Sequence, residues 1–253
     1  MFVACSTLCF GKHPLDRALQ MISDLEFGKI DVAIHEGGPH LRPSEVAADV
    51  GRFAQRIRIG SSLSPAAFSV EIAATGDEFL RQFRAVCRLA RLATVPVISI
   101  PAGPTARGLE AEVNRLTALA CLAAAEGVIL TVETRTGTLT ENPTTAVELC
   151  HRVSGLGLTL DPSHYVAGPN QGRNFDQVLP YVRHVRLRDT GRGPEQFQVR
   201  VGQGEIEYGR IVGQLARFHY ERCLTVDVRD LPEGPFSMEP EVRKLKYLLE
   251  SLV

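Results

Sequence analysis

The amino-acid sequence predicts a single-domain α/β fold, the (β/α)8 or TIM barrel, over residues 1–253. Short apolar segments typical of strands alternate eight times with longer segments that have helical periodicity. No linker, low-complexity tract or shift in composition divides the chain, and its length suits one barrel of this kind. The alternative is an open doubly wound sheet, whose site at the strand ends would have a similar sequence pattern.

The strands are predicted from short apolar runs that end in turn-forming or polar residues. The fourth run reads VPVISI, a nearly continuous β-branched stretch typical of a strand that is buried on both faces. The predicted strands are Phe2–Ser6, Lys29–His35, Ile57–Ser61, Val95–Ile100, Val128–Glu133, Gly157–Asp161, Val182–Leu187 and Cys223–Val228.

The helices are predicted from apolar residues at helical spacing and from their start and stop signals. Pro14 and Pro43 open two of them at first-turn positions that tolerate proline, and Gly127 follows the end of another. The predicted helices are 14–25, 43–56, 77–92, 108–126, 143–153, 174–181, 208–219 and 240–252.

Composition and charge indicate an intracellular, cytoplasmic protein. The chain is 44% hydrophobic, and 28 basic against 29 acidic residues give a net charge of -1, so no basic field for nucleic acid is expected. The six cysteines include no C-x-x-C pair, which is typical of reduced thiols. The apolar start lacks a basic segment, and no run reaches the roughly 18 residues of a membrane helix.

Three predicted strands end in a threonine, an apolar residue and an acid, a repeat that points to a shared site. The acids are Glu133, Asp161 and Asp227. Strand side chains alternate faces, so each threonine lies on the same face as its acid. Carboxylates at the carboxyl ends of several strands meet at the mouth of a parallel barrel, where the active sites of such barrels lie. Clustered carboxylates repel each other, and a divalent cation such as Mg²⁺ or Mn²⁺ would relieve this.

These residues together resemble the xylose-isomerase-like TIM barrels, the sugar isomerase/epimerase superfamily, over essentially the whole chain. The motifs that carry the resemblance are Ser6-Thr7, Val132-Glu133-Thr134, Asp161-Pro162-Ser163-His164, the run His184–Asp189, the loop Gly202-Gln203-Gly204-Glu205-Ile206, and Asp227.

The resemblance implies a metal-dependent isomerase or epimerase acting on a small keto-sugar, polyol or hydroxy-acid. It implies Glu133, Asp161 and Asp227 as ligands of Mn²⁺ or Mg²⁺, and Glu133 and Asp227 also as the bases that move the proton. His164, three residues after Asp161, is implied as the catalytic residue that contacts the substrate. The metal would polarise the substrate carbonyl while the carboxylates transfer the proton.

Strand seven departs from the family pattern, because Arg186 stands where the metal-binding histidine is expected. A guanidinium has no lone pair to offer and stays charged, so Arg186 is not a ligand. Asp227 is also shorter than the usual glutamate. His184 lies two residues earlier, about 6.6 Å deeper in the barrel, and would need a bulge to substitute.

Two alternatives therefore remain open from the sequence. In one, Arg186 neutralises the acids and the barrel is metal-free, binding a small anionic ligand without isomerase chemistry. In the other, a weaker metal sits on the three carboxylates while Arg186 binds a carboxylate or phosphate of the substrate.

Further residues are candidates for substrate binding at the mouth. His35 and Glu36 end the second strand and precede a glycine-rich loop, so either could contact the substrate. The Gly202-x-Gly204 segment is interpreted as a tight loop and is not a dinucleotide fingerprint, so no nucleotide cofactor is expected. The expected partner is a small-molecule substrate, with no nucleic acid and no membrane. Barrels of this kind often form homodimers, but no apolar stripe in the sequence identifies an interface, so the assembly stays open.

Overall fold

The computed structural model describes residues 1–58, 63–167, 169, 171–172, 174–193, 196–231, 234 and 236–253. Eight parallel strands follow one another around a closed barrel in chain order, β1 pairing with β8, which confirms the predicted (β/α)8 fold. The strands are β1 (Phe2–Ser6), β2 (Lys29–His35), β3 (Ser64–Glu71), β4 (Val97–Pro101), β5 (Ile129–Glu133), β6 (Gly157–Leu160), β7 (Val182–Leu187) and β8 (Cys223–Val226).

Helices lie between the strands and cover the barrel. They are α1 (Leu15–Asp24), α2 (Pro43–Ala48), α3 (Val50–Arg58), α4 (Gly76–Leu92), α5 (Leu109–Ala125), α6 (Pro143–Arg152), α7 (Ser163–Val166), α8 (Tyr208–Arg217) and α9 (Met238–Glu250). Short 3₁₀ segments span Thr7–Phe10, Thr105–Arg107, Leu139–Glu141 and Asp176–Tyr181. None of the helices in the described part of the chain is long and apolar enough to cross a membrane.

The third strand was predicted in the wrong place. It runs over Ser64–Glu71, whereas the prediction placed it at 57–61. Ile57 lies in α3 and is buried four residues after the buried Phe53, so its apolar side chain belongs to a helix face. Residues 59–61 of the predicted segment lie outside the described residues. The true strand was not recognised because serine, proline and alanine weaken its strand signal.

The barrel interior is polar where it approaches the carboxyl ends of the strands. Thr131 and Thr159 lie on the neighbouring strands β5 and β6, and their hydroxyl oxygens are 2.7 Å apart. His184 on β7 contacts Thr159 through Nδ1 at 3.4 Å and Thr225 through Nε2 at 2.9 Å. All four side chains are fully buried. This hydrogen-bonded layer forms the floor beneath the charged residues of the mouth.

The loop after β7 is folded around the carboxylate of Asp189. Its Oδ2 atom accepts hydrogen bonds from the backbone N–H groups of Gly202 and Gly204, at 2.7 and 3.1 Å, and its Oδ1 accepts one from Thr190. Gly202 has a φ of +86°, a conformation that favours glycine. The anion held by this glycine loop is therefore the protein's own side chain.

We expect Gly204→Ala to lower the free energy of unfolding by about 1–3 kcal/mol, because the added methyl group overpacks the loop. An ideal Cβ at this position would lie 2.7 Å from the Thr190 backbone nitrogen and against the Asp189 carboxylate. The control is Gly213→Ala in α8, where a Cβ meets nothing within 4 Å, and it should stabilise the protein by about 0.5–1 kcal/mol. Urea unfolding measures both, and equal effects would contradict the steric argument.

Candidate functional site

The three acids predicted from the repeated strand endings lie together at the carboxyl end of the barrel. Glu133 ends β5, Asp161 directly follows β6 and Asp227 directly follows β8. Their relative exposures are 5%, 1% and 1%, so all three are buried. The threonines two residues earlier bond to each other, to a backbone carbonyl or to His184. Burying three carboxylates requires compensating positive charge.

Arg186 supplies that charge at the centre of the barrel. Its Nε donates to Asp31 Oδ2 and its Nη1 donates to Glu133 Oε1, both at 2.9 Å. Asp31 lies on β2, so the ion pair crosses the barrel interior, and both side chains are at most 3% exposed. Among the described residues, Arg186 Nη2 and Asp31 Oδ1 are buried without a hydrogen-bond partner. These two atoms leave one donor and one acceptor for a water molecule or a ligand.

Arg188, two residues further along the chain, binds the other two acids. Its Nη2 donates to Asp161 Oδ2 and to the Ser163 hydroxyl, each at 2.7 Å, and its Nη1 lies 3.5 Å from Asp227 Oδ2. Asp161 also accepts hydrogen bonds from the backbone N–H and the hydroxyl of Ser163. Each predicted metal ligand is thus already engaged by a guanidinium group.

Two further arginines, Arg135 and Arg229, form the upper edge of the site. They approach Glu133 from its two oxygens, with Arg135 Nη1 3.8 Å from Oε2 and Arg229 Nη2 3.8 Å from Oε1. Arg229 also donates from Nε to Asp227 Oδ2 at 2.9 Å, and Arg135 pairs with Glu71 at 2.6 Å. Their side chains are 39% (Arg135) and 30% (Arg229) exposed, so they are accessible to a ligand that enters the mouth.

The surrounding arginines keep the central carboxylates ionised. Burial raises the pKa of Glu133, but the guanidinium groups of Arg186, Arg229 and Arg135 outweigh it and bring the pKa well below its usual range. The pKa of Asp227 is likewise lowered, against the effect of burial, by Arg229, Arg186 and Arg188. Carboxylates with lowered pKa values are weak proton acceptors, so this environment does not favour Glu133 or Asp227 as a general base.

The predicted His164 lies beside this cluster. Its Nε2 is 3.3 Å from Arg188 Nη2 and 3.7 Å from Asp161 Oδ2, and its Nδ1 accepts from the backbone N–H of Thr136 at 3.3 Å. Burial lowers the pKa of His164, which favours the neutral ring. A neutral imidazole at the edge of the mouth can exchange a hydrogen bond with a bound ligand.

His35 and Glu36, predicted to bind the substrate, differ in their surroundings. His35 is buried, and its Nε2 is 2.9 Å from the Ser69 hydroxyl; burial lowers its pKa. The Glu36 carboxylate accepts hydrogen bonds from the backbone N–H and hydroxyl of Ser44, at 3.1 and 2.6 Å, and so caps the start of α2. Glu36 also lines a cleft at the mouth together with Arg135 and Glu71.

The side chains present do not suit a divalent cation. Arg186 occupies the position where the resemblance implies a ligand, and each of the three acids accepts a hydrogen bond from an arginine, while Asp227 Oδ1 is buried without a hydrogen-bond partner among the described residues. In the ranges that the structure describes, no three histidine, cysteine or acidic side chains are grouped as metal ligands. A cation here would also face four guanidinium groups, which repel it.

The sequence did not single out Asp31, Glu71, Arg135 and Arg229 as site residues. Arg188 belongs to a run of arginines around the seventh strand that was open to two interpretations, binding of an acidic substrate or solvated charge. A period-2 signal was nevertheless available for the arginines, because Arg135 and Arg229 each follow an acid of the repeated motif by two residues. Arg188 follows Arg186 in the same way. No local signal singles out Asp31, which becomes part of the site only when the barrel closes.

We expect His184 to make stability depend on pH between about pH 6.5 and 4. Burial lowers its pKa to about 4, so in this range the unfolded chain binds a proton that the folded chain does not. The contribution is fully present above pH 6.5, falls as the pH drops, and amounts to up to about 3 kcal/mol. Urea unfolding at several pH values should show a smaller loss of stability for His184→Gln than for the wild type.

The matched control for this measurement is His219→Asn. His219 is exposed and has a φ of +54°, which asparagine tolerates, so this variant should keep the pH dependence of the wild type. Identical slopes for wild type and His184→Gln would show that His184 is not the titrating group.

Comparisons with known proteins agree with the fold. A family profile described as xylose isomerase-like TIM barrel matches residues 19–248. A search of curated proteins found no match.

Three solved structures illustrate the structural likeness. One is a probable 3-DHS dehydratase, AsbF, from Bacillus anthracis, with 15% identity, a TM-score of 0.75, and 99% of each chain covered. Another is a xylose isomerase-like TIM barrel protein from Mycobacterium smegmatis in complex with magnesium, with 15% identity, a TM-score of 0.75, and 99% of this chain and 97% of that chain covered. The third is an L-ribulose 3-epimerase, with 16% identity, a TM-score of 0.72, and 100% and 96% covered. At such identities the likeness concerns the fold, while the profile covers most of the chain: this protein belongs to the xylose isomerase-like TIM barrel family.

Proposed function

We propose that the mouth of this barrel binds a small anionic molecule through arginine side chains and without a divalent cation. The observation that carries the proposal is the pairing of all three acids in metal-ligand positions with guanidinium groups, Glu133 with Arg186 at 2.9 Å and Asp161 with Arg188 at 2.7 Å among them. The fixed charges of the arginines thereby take the place that a cation would have between the acids.

Exposure explains why such a site selects an anion although it contains several acids. Glu133, Asp161 and Asp227 lie beneath the surface, at most 6% exposed, whereas the Arg135 and Arg229 side chains are 39% and 30% exposed. A ligand at the mouth therefore meets two guanidinium groups and the carboxylate of Glu71, which pairs with Arg135 and is 41% exposed, so these three exposed groups carry two positive charges and one negative charge. The planar donor arrays of the guanidinium groups match carboxylate and phosphate oxygens and bind them in pairs of hydrogen bonds.

A second candidate is an isomerase or epimerase acting on a small keto-sugar, polyol or hydroxy-acid, with metal-assisted proton transfer. The family and structural neighbours that include an L-ribulose 3-epimerase and a magnesium complex favour this candidate. The contacts of Glu133 and Asp227 with the same guanidinium, that of Arg229, also favour it, because they bring the two acids close together. In this candidate Glu133, Asp161 and Asp227 hold the metal. A hydroxy-acid would fit both candidate functions, because it carries an anionic group for the arginines and a carbinol carbon for proton transfer.

Metal content and Mn²⁺ titration calorimetry separate the two candidates. We expect purified wild type to hold far less than one metal per chain and to release no more heat with Mn²⁺ than Glu133→Gln does. Stoichiometric metal that is lost in Glu133→Gln would overturn the metal-free proposal and favour the isomerase. Glutamine has nearly the same shape as glutamate, so the substitution leaves no cavity that could change Mn²⁺ binding indirectly.

Arg186→His tests whether the guanidinium is what keeps a cation out. The variant removes the central positive charge and adds an imidazole, a common metal ligand, next to Glu133. We expect Mn²⁺ affinity to rise at least tenfold above that of the wild type. Thermal unfolding checks that the variant folds, and Arg152→His, which alters a surface ion pair with Glu110, is the control that should leave Mn²⁺ affinity unchanged.

A further inference from the structure

An apolar cavity of about 620 Å³ lies between α4 and α5, over the ends of β3 and β4. Its apolar lining includes Val70, Ile72, Phe79, Leu80, Ile100 and Leu119. The volume is within the range of about 300–1,000 Å³ that is usual for small-molecule sites. A cavity of about 150 Å³ already accepts benzene, so this one has room for an aromatic ring or a short acyl chain.

The two arginines that line this cavity, Arg107 and Arg115, share the carboxylate of Glu112. Glu112 is fully buried and accepts hydrogen bonds from Arg115 at 2.6 and 2.9 Å, and it lies 3.6 Å from Arg107. Its Oε1 also accepts from the Gly103 backbone N–H at 2.8 Å. These contacts fix the loop between β4 and α5. Glu112 balances one of the two guanidinium charges, and the Arg107 side chain, 3.6 Å from it, is 42% exposed.

The apolar cavity adjoins the charged mouth of the barrel. A smaller cleft of about 270 Å³ is lined by Glu36, Glu71 and Arg135, and it shares the side chains of Ile72, Ala73 and Pro101 with the apolar cavity. Arg135 in turn lies 3.8 Å from Glu133, at the edge of the central ion-pair cluster. The guanidinium of Arg135 and the apolar cavity are therefore separated by no more than Ile72, Ala73 and Pro101.

We infer that the ligand of this barrel is an amphipathic carboxylic acid, with its carboxylate at Arg135 and Arg229 and an aromatic or acyl group in the apolar cavity. The inference rests on the proposed anion site and narrows its ligand class. A sugar would leave the apolar walls in contact with hydroxyl groups, which lose hydrogen bonds to water there. A ligand with an apolar group instead removes those walls from water.

Three probes that differ in one property each test this inference by titration calorimetry. Lactate carries the carboxylate alone, 3-phenyllactate carries the carboxylate and a ring, and 3-phenylpropane-1,2-diol carries the ring without the charge. We expect 3-phenyllactate to bind at least tenfold more tightly than either of the others, because only this probe uses both the arginines and the apolar cavity.

Two variants assign each half of the probe to its site. Arg135→Gln should weaken both acids at least tenfold and leave the diol unchanged. Ala118→Trp, at an exposed position of α5 that lines the apolar cavity, should weaken 3-phenyllactate to the level of lactate without affecting lactate. Leu80→Gln is a second variant of the cavity wall, should the tryptophan disturb folding.

Matched controls lie elsewhere on the same surface. Arg152→Gln removes an arginine whose side chain is 34% exposed and paired with Glu110, much as Arg135 is 39% exposed and paired with Glu71. Ala124→Trp adds the same bulk at an exposed position of α5 away from the cavity lining. Both should bind all three probes as the wild type does.

The outcomes distinguish this inference from the proposed function beneath it. If 3-phenyllactate binds no more tightly than lactate, while Arg135→Gln still abolishes lactate binding, the apolar half is wrong and the anion site stands. If neither acid binds, or if both bind equally well to Arg135→Gln, the anion site and this inference are both overturned.

Discussion

The buried guanidinium of Arg186 is the interaction on which the interior of this barrel depends. It joins Asp31 on β2 to Glu133 on β5 from a strand that neighbours neither, so one side chain ties together three parts of the barrel wall. A buried ion pair contributes little net stability, because both charges lose their hydration. Removal of one partner destabilises the fold strongly, since it leaves an uncompensated charge in a medium that solvates it poorly. Arg186 and its two acids are therefore a unit, in which each member requires the others.

Ion pairing between acids and arginines continues from Arg186 to the mouth of the barrel. Arg188 neutralises Asp161, while Arg229 pairs with Asp227, so that carboxylates and guanidinium groups alternate around the barrel opening. Below them, His184 hydrogen-bonds to threonine hydroxyls, and its Nε2 also lies 3.5 Å from Asp31 Oδ2. The site therefore changes from a hydrogen-bonded floor, through a layer of buried ion pairs, to Arg135, Arg229 and Glu71 at the surface.

Membership of the xylose isomerase-like family and the chemistry of this site are separate matters. The fold fixes eight strand ends around one opening, and each of those positions accepts different side chains without any change in the barrel. In this chain an arginine stands at a position where the family resemblance implies a metal-binding histidine, and the neighbouring acids are arranged around that arginine. The barrel is therefore that of the family, while the arginines at its mouth and the adjoining apolar cavity are what support the anionic ligand that we propose.

The number and order of the strands, and the acids at their ends, could be predicted from the amino-acid sequence. Alternation of apolar segments with helical periodicity is a local property, and so is the repeat of threonine and acid that identified Glu133, Asp161 and Asp227. The weak signal of the third strand failed because a buried apolar residue, Ile57, belonged to a helix face. Which charges pair with one another became visible only in the folded barrel. Asp31 on β2 and Arg186 on β7 are far apart in the sequence, and only closure of the barrel brings their side chains to 2.9 Å. Ion pairing depends on distance in space, which no local pattern encodes.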